Sequence, residues 1–261
     1  MGKTGTQPLI LTPLNGVPDI QPGNPLAAII LEAINNQNIG VEDNDILVLA
    51  QKVVSKTENR FFNYANLKIS PQAAELASIC GKDPQFVELV LSESVRVVRV
   101  APGLLIVEHH SGFISANAGI DHSNIGKKDL PGEKWALLIP LDADRSAENL
   151  KSEFLKATGK SIGVLIIDSH GRPWRIGTVG VSIGFAGLPA LVDMRGRKDL
   201  YGRVLESTVI CAVDELAAAA SLVMGQADEA IPVVHVSGFP YPLGNGNLRE
   251  LLRPKEIDLF K

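Results

Sequence analysis

The sequence predicts an α+β protein, with mixed sheets and flanking helices, and three observations carry that reading. Helix-period and strand-period segments alternate without a clear repeat, a β-rich stretch occupies the middle, and no low-complexity linker interrupts either. A chain of 261 residues can bury about three quarters of its unfolded surface, in one large domain or two small ones.

In chain order, NPLAAIILEAINN has helical spacing with Asn24 at its N-cap, and DILVLAQKVVS reads as a buried strand with a polar exit. SPQAAELASICG and DPQFVELVLSES are two helices capped by Ser70 and Asp83, whose side-chain oxygens can accept from first-turn N–H groups. VRVVRVAPGLLIVEHHSGFISANAGI reads as strands around a Pro-Gly turn. Residues 146–158 turn helical, Gly159 closes that helix, and SIGVLIID follows as a strand. The glycine-rich RIGTVGVSIGFAGLPALVDM alternates as strands that other backbone approaches closely. TVICAVDELAAAASLVMG is an alanine-rich helix ended by Gly225, and IPVVHVSGF is a final strand before a polar tail.

Composition narrows the partners. With 25 basic and 29 acidic residues the formal charge is -4, so no global positive field favours nucleic acid or an anionic membrane, and an anionic ligand must be held locally. MGKTGTQPLILTP carries too short an apolar run for a signal peptide and no segment offers 18 uninterrupted apolar residues, so a soluble, cytoplasmic protein is expected. Gly2 and Thr6 match the myristoylation pattern formally, but so short a pattern arises by chance. Cys80 and Cys211 lie far apart inside helix-like apolar patterns without C-x-x-C spacing, which fits buried thiols in a reducing cytosol.

The motif that asks for chemistry is a pair of acids. NAGIDHSN sets Asp121 after a small-residue turn, and VLIIDSHGR runs an apolar strand into Asp168 and Ser169 before a polar turn. Two ionised carboxylates about 5 Å apart repel by roughly 3 kcal/mol at an effective dielectric of about 20, a penalty that a divalent cation reverses. Hard oxygen ligands suit magnesium or manganese. The competing reading is that each acid caps a turn through its own backbone, and the residues alone leave both open. Of the five histidines, His122 and His170 are the two that could approach these acids.

Other motifs divide. ATGKS ends like a phosphate loop, but Phe154 stands where the first glycine belongs and a helix ends there instead of beginning. GTVGVSIGFAG lacks the G-x-G-x-x-G spacing of a dinucleotide site. RGRKDLYGR gathers three arginines and a lysine beside Tyr201, either as forks for phosphate or carboxylate or as a solvated loop. Lys56, closing AQKVVSK after the strand, could reach a phosphate as a point charge.

Taken together, AQKVVSK, NAGIDHSN, IIDSHGRPWRIG, RGRKDLYGR and LVMGQADEAIP resemble, in order and over nearly the whole chain, the coenzyme F-420:L-glutamate ligase family. The resemblance implies the gamma-glutamyl ligase type of fold, one module over residues 1–261 built of two intimately associated subdomains, and an intertwined homodimer. It implies a GTP-dependent ligase that attaches L-glutamate to coenzyme F-420-0 through an acyl phosphate, releasing GDP, and that can add a further gamma-linked glutamate. Magnesium or manganese serves such enzymes, with potassium as an assisting monovalent cation.

Carried over by motif, Asp121, Asp168, Ser169 and Gln226 are the divalent-metal positions, and Asn124 is a nucleotide contact beside them. The nucleotide is implied near Leu14, Asn15, Gly16 and Val17, near Gln51, Lys52 and Lys56, and along Met224, Gly225, Gln226, Ala227, Asp228, Glu229, Ala230 and Ile231. With that chemistry, Asp121, Asp168 and Lys56 would carry catalysis, and Arg172, Arg175, Arg197 and Arg203 are the candidate cations for substrate oxygens. Two other readings stay open at this stage: a related ligase acting on a different carboxylate, and a non-catalytic GTP or metal binder.

Overall fold

A computed structural model describes residues 7–126 and 130–259; the Gly2 pattern lies outside them. The first half contains β1 (Ile10–Pro13), α1 (Leu26–Asn36), β2 (Ile46–Ala50), α2 (Gln51–Thr57), β3 (Phe61–Asn63), α3 (Pro71–Cys80), α4 (Pro84–Ser92), β4 (Ser94–Ala101), β5 (Leu104–His109) and β6 (Ile114–Ala116). The second half contains β7 (Trp135–Leu137), α5 (Ala143–Thr158), β8 (Gly163–Arg172), β9 (Arg175–Ala186), β10 (Val192–Asp193), β11 (Val209–Ile210), α6 (Ala212–Met224) and β12 (Val233–Ser237). The class is α+β with mixed parallel and antiparallel pairing.

The main sheet runs β1, β12, β2, β8, β9, and only β2 and β8 are parallel. Alternation explains its two covered faces. Leu47, Leu49, Val164 and Ile166 point into a core with α1 and α5, while Ile46, Val48, Leu165 and Ile167 point into a second core with α6. Two glycines of β9 allow the helices this close: a Cβ at Gly180 would meet the Ala217 carbonyl of α6 at 2.5 Å, and one at Gly184 would collide with Ala143 of α5. A third core packs α3 and α4 against β4 and β5 of the β4–β5–β6 sheet.

Local signals hold in many places and fail in instructive ones. Ser70 accepts from the Ala73 N–H and Asp83 from the Gln85 N–H, as N-caps should. Gly159 closes α5 in the left-handed conformation, and α5 starts three residues before position 146 because Asp142 caps it through the Arg145 N–H. Asn24 is not a cap: Pro25 precedes α1, and the Asn24 carboxamide accepts from the Gln21 N–H to close a turn instead. Cys211 stands just before α6, not inside it, and burial, followed by Asp214, pushes its thiol up to about 12; both cysteines are free.

Two corrections matter for function. The strand expected through DILVLAQKVVS stops at Ala50, and Gln51 begins α2, whose Val53 and Val54 are buried and whose Ser55 hydroxyl donates to Gln51 Oε1 at 2.7 Å. Conversely, β8 does not end at Ile167. Its parallel partner stops there (Ala50↔Ile167), but β9 continues to pair with it through Asp168↔Val181, Ser169↔Gly180 and His170↔Val179. Asp168 is therefore a strand residue at the point where β2 leaves the sheet, which opens a crevice beyond the carboxyl end of a parallel pair.

Candidate functional site

A cleft of about 550 Å³ occupies that crevice. Five stretches wall it: residues 17–20; the β2–α2 junction with Gln51, Lys52 and Lys56; Asn124 and Gly126; Ile167, Asp168 and Ser169 of β8; and Met224, at the end of α6, with the residues 225–232 that follow it. Lys52 and Lys56 are one helical turn apart, so α2 presents both on the same side.

Asp121 does not itself line the cleft; an unusual turn sets it behind the lining, against Gln51 and Lys52, which do. Asn117, Ala118 and Gly119 all adopt positive φ (52, 57 and 69°), and the Asp121 backbone then pairs with Leu137. Gly119 is required twice, by its conformation and because a Cβ there would lie 3.0 Å from Ile139 and 3.4 Å from Asp168 Oδ2. This close passage brings the loop carrying Asp121 against Asp168. The Asp121 Oδ2 accepts from Gln51 Nε2 at 2.6 Å and lies 2.9 Å from Lys52 Nζ, while Asp168 Oδ2 lies 3.0 Å from His170 Nε2.

The two acids differ electrostatically. Burial raises the Asp121 carboxyl above its ordinary value; Lys52 opposes this and the Asp168 charge adds to it. Burial also pushes Asp168 up, yet the hydrogen bond and charge of His170, then the Ser169 N–H and Lys52, hold it below the ordinary value. Lys52 thus acts on both carboxylates.

Around this pair the polar groups are oriented by neighbours. The Ser169 hydroxyl donates to Gln226 Oε1 at 2.8 Å, and Gln226 Nε2 donates to Ser221 Oγ at 3.0 Å. Asn124 Nδ2 donates to the Ala227 carbonyl at 2.8 Å, tying two walls together. Gly225 has φ +73°, and the Glu229 carboxylate folds back over it, accepting from the Ala227 N–H at 2.7 Å. Backbone N–H groups, that of Ala227 first, hold the exposed Glu229 carboxyl below its ordinary value.

The donor set fits a hard divalent cation that brings ligands with it. Asp121, Asp168, the Ser169 hydroxyl and the Gln226 carbonyl are all oxygen donors. Among the described residues, no three His, Cys, Asp or Glu side chains form a metal-binding group. Two carboxylates and two neutral oxygens make a partial shell of the kind that phosphate and water complete around magnesium.

The remaining candidates are placed as follows. Met224, Gly225, Gln226, Ala227, Asp228, Glu229, Ala230 and Ile231 line the cleft, as does Val17. Leu14 is fully buried, its N–H bonded to Val233, while Asn15 and Gly16 are exposed and outside the lining. Arg172 ends β8 with Nη1 buried and unpartnered among the described residues, and Arg175 begins β9 on the exposed side of that turn. Arg197 and Arg203 lie in the exposed loop between β10 and β11, away from the cleft lining. His122 packs on Phe86 with Tyr64 Oη 3.2 Å from its Nε2. Sequence reasoning missed Asp19, which pairs with Lys56 at 2.8 Å, and Ser221, which holds Gln226; neither carries a local signal, since each is defined by a partner brought up by folding.

A family model described as F420-0:Gamma-glutamyl ligase matches residues 16–238. The chain belongs to the F420-0:gamma-glutamyl ligase family. The matched span of this family member includes every wall of the cleft. Among its relatives, the coenzyme F420:L-glutamate ligase of Methanothermobacter thermautotrophicus is 42% identical over 250 residues, covering 95% of this chain and 97% of that one. The ligase of the same description from Methanocaldococcus jannaschii is 46% identical over 221 residues (85% and 86%), and that from Archaeoglobus fulgidus is 42% identical over 249 (95% of each).

Proposed function

We propose that this protein is a ligase that joins L-glutamate to coenzyme F-420-0 at the expense of GTP. The carrying observation is the convergence at one cleft of oxygen donors (Asp168, Ser169 and Gln226 in its lining, with Asp121 behind them on Gln51 and Lys52) and of two lysines on one helix face. Family membership and relatives named as coenzyme F420:L-glutamate ligases support the glutamylation. The cleft supports the nucleotide.

In this reading an acceptor carboxylate oxygen attacks the γ-phosphorus of GTP, the bond to the GDP oxygen breaks, and an acyl phosphate results. The α-amino nitrogen of glutamate then attacks the acyl carbon, losing a proton as inorganic phosphate departs. Lys56 and Lys52 hold phosphate oxygens as point charges. Gln51 fixes Asp121 and His170 fixes Asp168, so both carboxylates are oriented before substrate arrives. A bound magnesium or manganese ion would neutralise charge moving toward the leaving nucleotide, and potassium is the assisting monovalent ion of this proposal. The half-buried Arg172, nearest along β8, is the candidate for acceptor oxygens, whereas Arg175, Arg197 and Arg203 would serve only across an assembled homodimer. That homodimer is supported by Leu200 and Tyr201, 96% and 95% exposed on the β10–β11 loop.

The test incubates the protein with F-420-0, GTP, manganese and glutamate and follows the deazaflavin by mass spectrometry. A glutamyl adduct with the natural chain and none with Asp168→Asn is expected. GDP release without an adduct would refute ligation, and full activity of Asp168→Asn would remove the aspartate pair from the chemistry.

A further inference from the structure

Lys52 has a position that nucleotide binding alone does not explain. Its Nζ lies 2.9 Å from Asp121 Oδ2, with both side chains mostly buried, and its charge acts on Asp168 as well as on Asp121. It reaches there from α2, where Gln51, the preceding residue, donates to the same Oδ2. An ammonium group on one carboxylate of the pair, with its charge felt by the other, stands at the edge of the place a divalent cation would take. The protein donors for such an ion are few: two carboxylates, a hydroxyl and an amide oxygen, with no third acidic or imidazole ligand in a group among the described residues.

We propose that Lys52 is the resident counter-ion of the aspartate pair, holding the edge of the cation's place until a metal–nucleotide complex displaces it. The proposal rests on the functional reading above and extends it to the order of binding. A free divalent ion must evict a lysine already tethered to the site and gains only a partial oxygen shell. The same ion carried on a triphosphate brings its own phosphate oxygens and, in the same step, gives the evicted ammonium new anionic partners. Lys52 thereby positions two things in turn: the carboxylates before substrate, and a phosphate oxygen after it. Coulomb attraction at a few ångströms is strong enough in a part-buried cleft to make this exchange decisive.

The test is manganese binding by the intact protein, followed through the paramagnetic resonance signal of free Mn²⁺, with and without a non-hydrolysable GTP analogue. The natural chain is expected to bind Mn²⁺ at least about tenfold more tightly with the analogue than without it. Lys52→Met, and Lys52→Gln, which can still donate to Asp121, are expected to bind Mn²⁺ about tenfold more tightly than the natural chain in the absence of nucleotide. Circular dichroism establishes that each variant is folded. Equal Mn²⁺ affinity of the natural chain with and without analogue overturns the proposal, and needs no variant. Folded Lys52 variants that bind no more tightly overturn it too; if Asp168→Asn then abolishes Mn²⁺ binding with analogue, the metal site itself stands. If Asp121→Asn and Asp168→Asn both bind Mn²⁺ like the natural chain, the site reading fails and this proposal falls with it.

Discussion

Lys56 provides the sharpest separation of binding from stability. Its Nζ is 2.8 Å from Asp19 Oδ1, with the lysine side chain 9% and the aspartate 59% exposed. A pair with one partner in water contributes about 1 kcal/mol or less to stability. A charge-assisted bond from Lys56 to a phosphate oxygen contributes about 1.5 to 3 kcal/mol. Nucleotide must first displace Asp19 at about 1 kcal/mol, so the net gain from Lys56 is about 0.5 to 2 kcal/mol, or about twofold to about thirtyfold in affinity. Lys56→Ala should weaken GTP binding by that factor in titration calorimetry while lowering stability by no more than about 1 kcal/mol. Asp19→Asn should act oppositely and tighten GTP by about fivefold at most, since the competing carboxylate is gone. Unchanged affinity in Lys56→Ala, or weaker affinity in Asp19→Asn, would refute the assignment of Lys56 to phosphate.

Further tests probe the scaffold. Gly184→Ala pushes a methyl group into Ala143 of α5, so urea unfolding should show a loss of about 1 to 3 kcal/mol, and Gly180→Ala, against the Ala217 carbonyl, should do likewise. Glu93 has its carboxyl held below the ordinary value by the His109 imidazole, Nε2 3.9 Å away, and by the Arg60 guanidinium at 3.0 Å. A lowered folded value means stability present above the unfolded value and lost as pH falls through the folded one, so the temperature of unfolding should drop as the solution is acidified through and below the ordinary carboxylate range, and Glu93→Gln should flatten that slope. Ser70→Ala removes the acceptor for the Ala73 N–H and should cost about 1 kcal/mol by the same unfolding assay.

What could be read from the sequence follows from how local each determinant is. The strands of the central sheet announce themselves because β2 and β8 are buried on both faces, giving the uninterrupted runs ILVLA and VLII. Ser70 and Asp83 act on N–H groups two or three residues away, so their roles are legible; Asn24 has the same chemistry but precedes a proline and turns back to Gln21. The β2–α2 junction was obscured because QKVVSKT mixes polar and β-branched residues with little preference of its own, and only packing of Val53 and Val54 settles it as a helix. Asp168 looked like a strand end because the apolar run ends there, whereas the pairing that continues comes from β9. The arginine run, the densest charge signal in the sequence, lies in an exposed loop outside the cleft lining, and Asp19 carries no local mark at all.

The charge inventory of the cleft gives these observations a common cause. Lys52 and Lys56 share the lining with Asp19, Asp168, Asp228 and Glu229, with Asp121 behind Lys52, an excess of acid in a concavity argued to take a polyphosphate. Such a surface repels a bare triphosphate, so recognition by charge alone would fail. The cleft instead neutralises itself: Lys52 against Asp121, Lys56 against Asp19, and backbone N–H groups against Glu229. Each internal partner resembles a piece of the proposed ligand, an ammonium in place of a metal ion and carboxylates in place of phosphates. Exchanging these partners for a metal–nucleotide complex replaces like with like, keeping the desolvation cost low while excluding either component alone. An acidic lining is therefore consistent with nucleotide use, provided cation and nucleotide enter together.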